Sequence, residues 1–175
     1  GFPKVTLQLN AGGGRNTFVA EAIQKMLEET LNIEVELLAI PWAQHTEAVV
    51  AANSTFYRMG WIADYPDAES FLNLFLGKYV PEDIKVKTYI NSYRYKNPAY
   101  DAVLERALAT VDEDERNRLY AQADQIAIDD AVVMPNYYDI DYRLLSPGVR
   151  DFPQNAMEYR NLCKVYFVPI TNEAR

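Results

Sequence analysis

The sequence predicts an α/β fold with a β-α-β-α-β core, and three features of its N-terminal part carry that prediction. Segments 5–10 and 33–37 alternate apolar and polar residues, as half-buried strands do. Segment 56–63 is mostly apolar and is the third predicted strand. The apolar residues between these segments recur with the helical period of about 3.6 residues. Strands that alternate with helices favour right-handed crossovers and a sheet that is at least partly parallel.

The first helix is expected directly after a glycine-rich turn. Residues 11–15 read AGGGR and form the turn, and Asn16 or Thr17 can cap the helix that follows. The positions expected to face the core are Val19, Ala22, Ile23, Met26 and Leu27. The second strand passes into an apolar stretch, 37–40, which predicts a buried end, and a short helix is expected over 42–52.

Three further helices are expected in the middle of the chain. Asp67 can cap a helix over 68–76. Asn97 and Pro98 are the residue types preferred at the N-cap and the first helical position of the next helix. Segment 112–115 places acids at the positive end of another helix dipole. The side chains expected to be buried on that last helix are Leu119, Tyr120, Ala123, Ile126 and Ala127.

The C-terminal part changes character. Segment 131–135 is apolar and is predicted to be a strand, and 137–145 continues as an extended aromatic segment. Segment 146–169 is interrupted by Pro and Asn and shows little periodicity. The sequence has no internal repeat and no low-complexity linker. These features indicate one domain with a trailing arm.

The charge and composition limit the kinds of partner. Lys and Arg number 17 and Asp and Glu number 25, so the net charge is −8, which argues against nucleic acid as a partner. The apolar fraction of 49% and the charged fraction of 24% are those of a globular domain. Tyrosine, with 13 copies, is the most frequent aromatic residue, and its apolar ring with a polar tip suits a recognition surface.

Few residues are available for catalysis or metal binding. Cys163 is the one cysteine and His45 the one histidine, which excludes an internal disulfide and argues against a catalytic triad or a zinc cluster. We expect His45 to be structural. The sequence also lacks the nucleophile-elbow, zinc-protease, paired-cysteine and P-loop motifs. It therefore predicts a protein that is not an enzyme and holds neither a metal nor a cofactor.

Three short stretches are informative through their order and spacing. They read GWIADYPD at 60–67, YKNPAYD at 95–101, and RLYAQADQI at 118–126, the last running on to AVVMPNYY at 131–138. Together they resemble the oligopeptide- and dipeptide-binding proteins of bacterial ABC peptide importers, which form solute-binding protein family 5.

The resemblance implies a type II periplasmic-binding-protein-like lobe within a two-lobed protein that closes on a peptide. Residues 1–141 would form part of the C-terminal ligand-binding lobe, and 142–175 would be an arm that returns toward an N-terminal lobe missing from this sequence. The implied partners are a peptide and the membrane permease of an ABC importer. The implied location is the periplasm, or a lipid anchor outside the cytoplasmic membrane, although the sequence carries no signal-peptide pattern.

The resemblance also assigns roles to residues of the first stretch. Asp64 matches the aspartate that pairs with the α-ammonium of the peptide, and its alternative is a turn or cap aspartate. Gly60, Trp61 and Ile62 match a strand whose backbone binds the peptide as an added strand. Trp61 is equally compatible with core packing.

Three more residues are candidates on the same ground. Arg58 matches a position that in some members reaches the ligand carboxylate, and its alternative is a pair with a local acid. Tyr137 and Tyr138 would either line the pocket or fill the core of the lobe.

Two other classes of function compete with ligand transport. The Gly12–Gly14 loop between a strand and a helix resembles a phosphate cradle, which suggests a nucleotide-binding enzyme domain. The loop lacks the third glycine of the dinucleotide fingerprint and the Lys-Ser/Thr pair of a P-loop. A protein that only mediates contacts with other proteins would fit the tyrosine content but would not explain the stretch at 60–67.

Overall fold

The N-terminal half contains two parallel strands, each followed by a helix. The computed structural model describes residues 2–140 and 142–170. Strand β1 (Val5–Asn10) leads into helix α1 (Gly14–Leu31), and strand β2 (Val35–Ile40) leads into helix α2 (Trp42–Val50). The two strands pair in parallel, with Val5 opposite Val35 and Asn10 opposite Ile40. This arrangement confirms the predicted β-α-β-α order.

The third predicted strand, 56–63, is reduced to a single parallel bridge between Tyr57 and Gln8. Gln8 donates its backbone N–H to the Phe56 carbonyl at 2.9 Å, and its carbonyl accepts from the Arg58 N–H at 2.8 Å. The pairing ends there because the Arg58 carbonyl accepts from a side chain, that of His45, rather than from β1. The bridge still places the segment beside β1, on the side opposite to β2.

The core lies in two clusters. The first joins β1, β2 and α1 through Leu7, Leu9, Ala20 and Val35. The second is built by three helices: α3 (Glu69–Leu72), α4 (Pro98–Ala109) and α5 (Glu113–Asp129). Its fully buried side chains include Tyr100 and Leu104, and single 3₁₀ turns at 73–75 and 77–79 add further apolar residues to it.

The predicted helix caps are confirmed for α4 and α5. The Asn97 side chain accepts from the backbone N–H groups of Ala99 and Tyr100, and that of Asp112 accepts from Glu115. Four of the five side chains expected to be buried on α5 are buried, and Ile126 is half-buried. Asp67 accepts from the Glu69 N–H at 2.9 Å, but the N-cap of α3 is Ala68, and the predicted helix over 68–76 is wrong in length because a 3₁₀ turn at 73–75 replaces its second half.

Other local expectations were wrong. Helix α1 begins at Gly14, earlier than predicted, and has no side-chain cap because its N-cap is Gly13; Asn16 lies inside the first turn and donates to Asn10 Oδ1 at 3.3 Å. Ala22 and Met26 are exposed. The end of β2 is not buried, since Leu38 keeps 42% of its surface exposed on a strand whose one described strand neighbour is β1.

The C-terminal region contains little regular structure. Segment 131–135 is a turn followed by irregular chain rather than a strand, since none of its backbone groups pairs with a neighbouring strand in the described residues. Strands β3 (Val149–Arg150) and β4 (Tyr166–Phe167) form a short antiparallel pair. None of the described helices is both long and apolar enough to cross a bilayer.

Candidate functional site

The carboxyl ends of the parallel strands define one edge of the sheet, where α/β proteins bind ligands. β1 ends at Asn10 and β2 at Ile40, and helix α2 starts immediately after β2 with Trp42. Trp42 keeps 54% of its surface exposed. The chain that follows the parallel Tyr57 bridge leaves the sheet at the same edge, and Arg58 lies beside the end of β1 at Asn10.

The backbone of this departing segment is unpaired. In residues 59–63, none of the backbone N–H or C=O groups makes a hydrogen bond within the part of the chain that the structure describes. Gly60 and Ile62 are exposed, the latter to 74%, and Trp61 keeps 45% of its surface exposed. The segment therefore presents free backbone donors and acceptors next to apolar side chains, and Trp61 does not fill the core of this chain.

Two buried side chains hold the ends of the segment. His45 Nε2 lies 2.9 Å from the Arg58 carbonyl, and Ser70 Oγ accepts from the Asp64 N–H at 3.0 Å. His45 is fully buried and Ser70 is 4% exposed. The sequence contained no signal for either role, because both depend on contacts made only in the folded chain.

Arg58 lies over the edge of β1. Its Nη1 donates to Asn10 Oδ1 at 3.2 Å, and its guanidinium approaches Gly60 so closely that a Cβ there would lie 3.4 Å from Nη2. No carboxylate forms an ion pair with Arg58 among the described residues. The expected alternative, a local acid, is thus replaced by a neutral amide.

Asp64 lies at the far end of the exposed segment. It is exposed, and its carboxylate has no hydrogen-bond or ion-pair partner in the described residues. Its neighbour Asp67, by contrast, accepts a helix-starting bond and lies 4.0 Å from Arg116. The two aspartates of this stretch therefore differ: Asp67 supports the fold, and the Asp64 carboxylate is available to a cation.

Tyr137 and Tyr138 lie away from the core, with 40% and 94% of their surfaces exposed. The next residue, Asp139, forms an ion pair with Arg15 in the first turn of α1. This contact brings the segment that carries the tyrosines toward the glycine loop at the end of β1. The structure gives no direct contact between these tyrosines and Asp64.

The glycine loop has one residue that requires glycine. Gly12 has a φ of 98°, a conformation that other residues rarely adopt. Within the described ranges no group of three His, Cys, Asp or Glu side chains is arranged to hold a metal ion, and Cys163 is exposed.

Comparison with known proteins adds relatives to this geometry. Residues 2–82 match the family of bacterial extracellular solute-binding proteins, family 5 Middle. The periplasmic oligopeptide-binding protein OppA of Escherichia coli (strain K12) is 29% identical over 75% of this chain and 22% of its own length. The probable deoxycholate-binding periplasmic protein YgiS of the same organism is 33% identical over 80% of this chain and 25% of its own.

A solved structure agrees with these relatives. The Escherichia coli murein tripeptide binding protein MppA superposes with a TM-score of 0.80 at 26% identity, over 95% of this chain and 31% of that protein. The chain spans about a quarter of the length of the curated relatives it matches. The family match, the relatives and the fold together show a chain that is similar to family 5 of the bacterial extracellular solute-binding proteins and has the fold of type II periplasmic binding proteins.

Proposed function

We propose that the protein captures peptides outside the cytoplasm and delivers them to the membrane permease of an ABC importer, without catalysing a reaction. The observation that carries the proposal is the exposed segment between Arg58 and Asp64, whose backbone groups have no partner among the described residues. An extended peptide that pairs with such a backbone gains main-chain hydrogen bonds whatever its side chains are. This mode of binding suits a receptor for peptides of varied sequence.

The charges at the two ends of the segment match those of a free peptide. The Asp64 carboxylate would pair with the α-ammonium, and the Arg58 guanidinium would attract a carboxylate of the ligand. Gly60, Trp61 and Ile62 would supply the backbone and apolar contacts between them, and Tyr137 and Tyr138 would add walls from the other side. Relatives that are named as oligopeptide- and tripeptide-binding proteins support peptides as ligands. A third relative is named as a probable deoxycholate-binding protein, so deoxycholate is the alternative ligand.

The proposed organisation has residues 1–141 in the C-terminal lobe and 142–175 as an arm toward an N-terminal lobe. Exposed apolar side chains support an arm that packs on further protein. Tyr142, Leu144 and Phe167 expose 82%, 95% and 80% of their surfaces. The periplasm, or an anchored position on the outer side of the cytoplasmic membrane, is the proposed location.

A thermal-shift screen of the full-length protein tests the proposed ligand class. Short peptides, free amino acids, sugars, nucleotides and deoxycholate are compared at equal concentration. A ligand that binds the folded state raises the melting temperature. We expect peptides to do so. Stabilisation by nucleotides alone would contradict the proposal, and stabilisation by deoxycholate alone would change the ligand.

The role of Asp64 is tested by Asp64→Asn, which removes the charge but keeps the size. A hydrogen bond to a charged group contributes about 1.5–3 kcal/mol, which is about a tenfold to hundredfold change in affinity. We expect a loss of that size for trialanine and little loss for N-acetyl-trialanine, measured by calorimetry. Asp67→Asn is the matched control, because it removes a carboxylate charge from the same stretch, keeps the oxygen that accepts from the Glu69 N–H, and should not distinguish the two peptides.

A further inference from the structure

The end of the strand pairing at Arg58 leaves a backbone donor of β1 without its expected partner. After the bonds that join Gln8 to Phe56 and Arg58, the next bond of a parallel ladder would run from the Asn10 N–H to the Arg58 carbonyl. In the described residues that carbonyl accepts from His45 Nε2 instead. His45 therefore takes the place of a backbone donor, and the chain after Arg58 is free to leave the sheet.

The surroundings of His45 fix its protonation state. A carbonyl can only accept, so the proton of the neutral ring lies on Nε2, and Nδ1 accepts from Gln8 Nε2 at 2.9 Å. Gln8 is itself 5% exposed and also donates to the His45 carbonyl at 3.4 Å. Burial lowers the pKa of the imidazole and outweighs the hydrogen bond to the Arg58 carbonyl, which acts in the opposite direction, while the charge of Arg58 adds to the lowering. A buried polar ring with both nitrogens paired is a fixed element of the core.

Ser70 performs the corresponding task at the other end. It belongs to α3, which packs in the second core cluster through Leu72, and its hydroxyl accepts the backbone N–H of Asp64. One end of the exposed segment is thus tied to α2 and the first strand, and the other end to α3. Between the two ties the backbone has no partner in the part of the chain that is described.

We propose that His45 and Ser70 are positioning residues, which hold the segment between Arg58 and Asp64 extended and unpaired so that a peptide can pair with its backbone. This inference rests on the proposed function and adds to it two residues that touch no ligand. An ordered segment binds more tightly because the cost of ordering it is already met in the free protein. Loss of either tie should weaken binding of every peptide that uses main-chain bonds.

The test uses the full-length protein and two pairs of variants. His45→Phe keeps a ring and removes both hydrogen bonds, and His45→Gln restores a donor near the position of Nε2. Ser70→Ala removes the hydroxyl, and Ser70→Thr restores it. Trialanine is the binding probe in calorimetry. We expect His45→Phe and Ser70→Ala each to weaken binding about two- to tenfold, the range of one neutral hydrogen bond, and the restoring variants to recover most of it.

Hydrogen exchange on the ligand-free protein provides a readout that needs no peptide. We expect Ser70→Ala to speed exchange of the Asp64 amide and Ser70→Thr to slow it again, because that amide donates to the hydroxyl. His45→Phe should speed exchange of the Arg58 amide. Unchanged exchange and unchanged affinity in folded His45→Phe and Ser70→Ala variants would overturn the proposal.

The two readouts separate this proposal from the proposed function. Exchange that responds as expected in a protein that binds no peptide would support the positioning roles and contradict peptide capture. Peptide binding by the wild type that none of the variants weakens would support capture and contradict the positioning roles. Should His45→Phe fail to fold, the Ser70 pair decides alone.

Discussion

The guanidinium of Arg58 is bound by the neutral amide of Asn10, with Nη1 donating to Oδ1 at 3.2 Å. The same oxygen accepts from Asn16 Nδ2 at 3.3 Å, so one oxygen at the end of β1 binds both the first turn of α1 and Arg58. An amide orients a guanidinium without neutralising it. The charge of Arg58 thus remains available at the edge of the sheet.

Replacing Asn10 with Asp should therefore weaken peptide binding. The new carboxylate would pair with Arg58 and compete with the carboxylate of the ligand. Partly exposed ion pairs contribute about 0.2–1 kcal/mol, so we expect a loss of up to about fivefold in affinity for trialanine, measured by calorimetry. Asn10→Ala is the control, since it removes the acceptor without adding charge. Equal affinities for the Asp and Ala variants would show that Arg58 does not meet the ligand.

The helices α4 and α5 were predictable because their signals are local. Asn97 followed by Pro98, and Asp112 followed by three acids, fix the helix starts through bonds to backbone groups two or three residues away. Segments 56–63 and 131–135 have equally apolar patterns, which predict strands that the structure does not contain. Whether an apolar segment pairs with a neighbouring strand depends on which donors its carbonyls bind. The carbonyl of Arg58 binds the side chain of His45, 13 positions earlier in the sequence.

The helix start at Asn97 gives a prediction about stability. Its Oδ1 accepts from the Ala99 N–H at 2.8 Å, and its Nδ2 donates to Asp130 Oδ2 at 2.7 Å at the end of α5. Asn97→Ala should lower the free energy of unfolding by about 1 kcal/mol or more through the lost cap. Asn97→Ser keeps a capping oxygen and loses only the bond to Asp130, so it should cost less. Urea unfolding measures both, and equal losses would assign the effect to the Asp130 contact.

The candidate site was predictable only in part. The resemblance to a family predicts a ligand role for the stretch from Gly60 to Asp64, and the exposure of its residues other than Ala63 is consistent with a surface role. His45 was expected to be structural, and it is buried with both ring nitrogens paired. The contributions of Asn10 and Ser70 could not be read from the sequence, because each is one hydrogen bond to a residue that only the fold brings near.

Three tyrosines that are wholly or partly buried predict loss of stability in alkali. Tyr93 stacks on Tyr57 at a centroid distance of 5.9 Å and contacts Phe75 at 5.0 Å, and burial raises its pKa to about 12. Burial, together with a hydrogen bond to a carboxylate, raises the pKa of Tyr95 and of Tyr120 to about 12. The unfolded chain releases these protons near pH 10. The contribution of these tyrosines to the free energy of unfolding is therefore fully present below pH 10. It falls as the pH rises toward 12 and beyond, since the unfolded state then binds fewer protons than the folded state.

Tyr93→Phe should remove one part of this alkaline loss. The ring contacts remain, and no hydrogen bond of the Tyr93 hydroxyl is present in the described residues, so stability near neutral pH should change little. Each group that titrates only in the unfolded state contributes a slope of at most about 1.4 kcal/mol per pH unit. Urea unfolding between pH 9 and pH 11.5 should thus give a shallower fall for Tyr93→Phe than for the wild type. Tyr138→Phe is the control because Tyr138 is 94% exposed. If stability fell with pH at the same slope in all three proteins, the Tyr93 hydroxyl would not be shielded from water as the packing of its ring on Tyr57 and Phe75 requires.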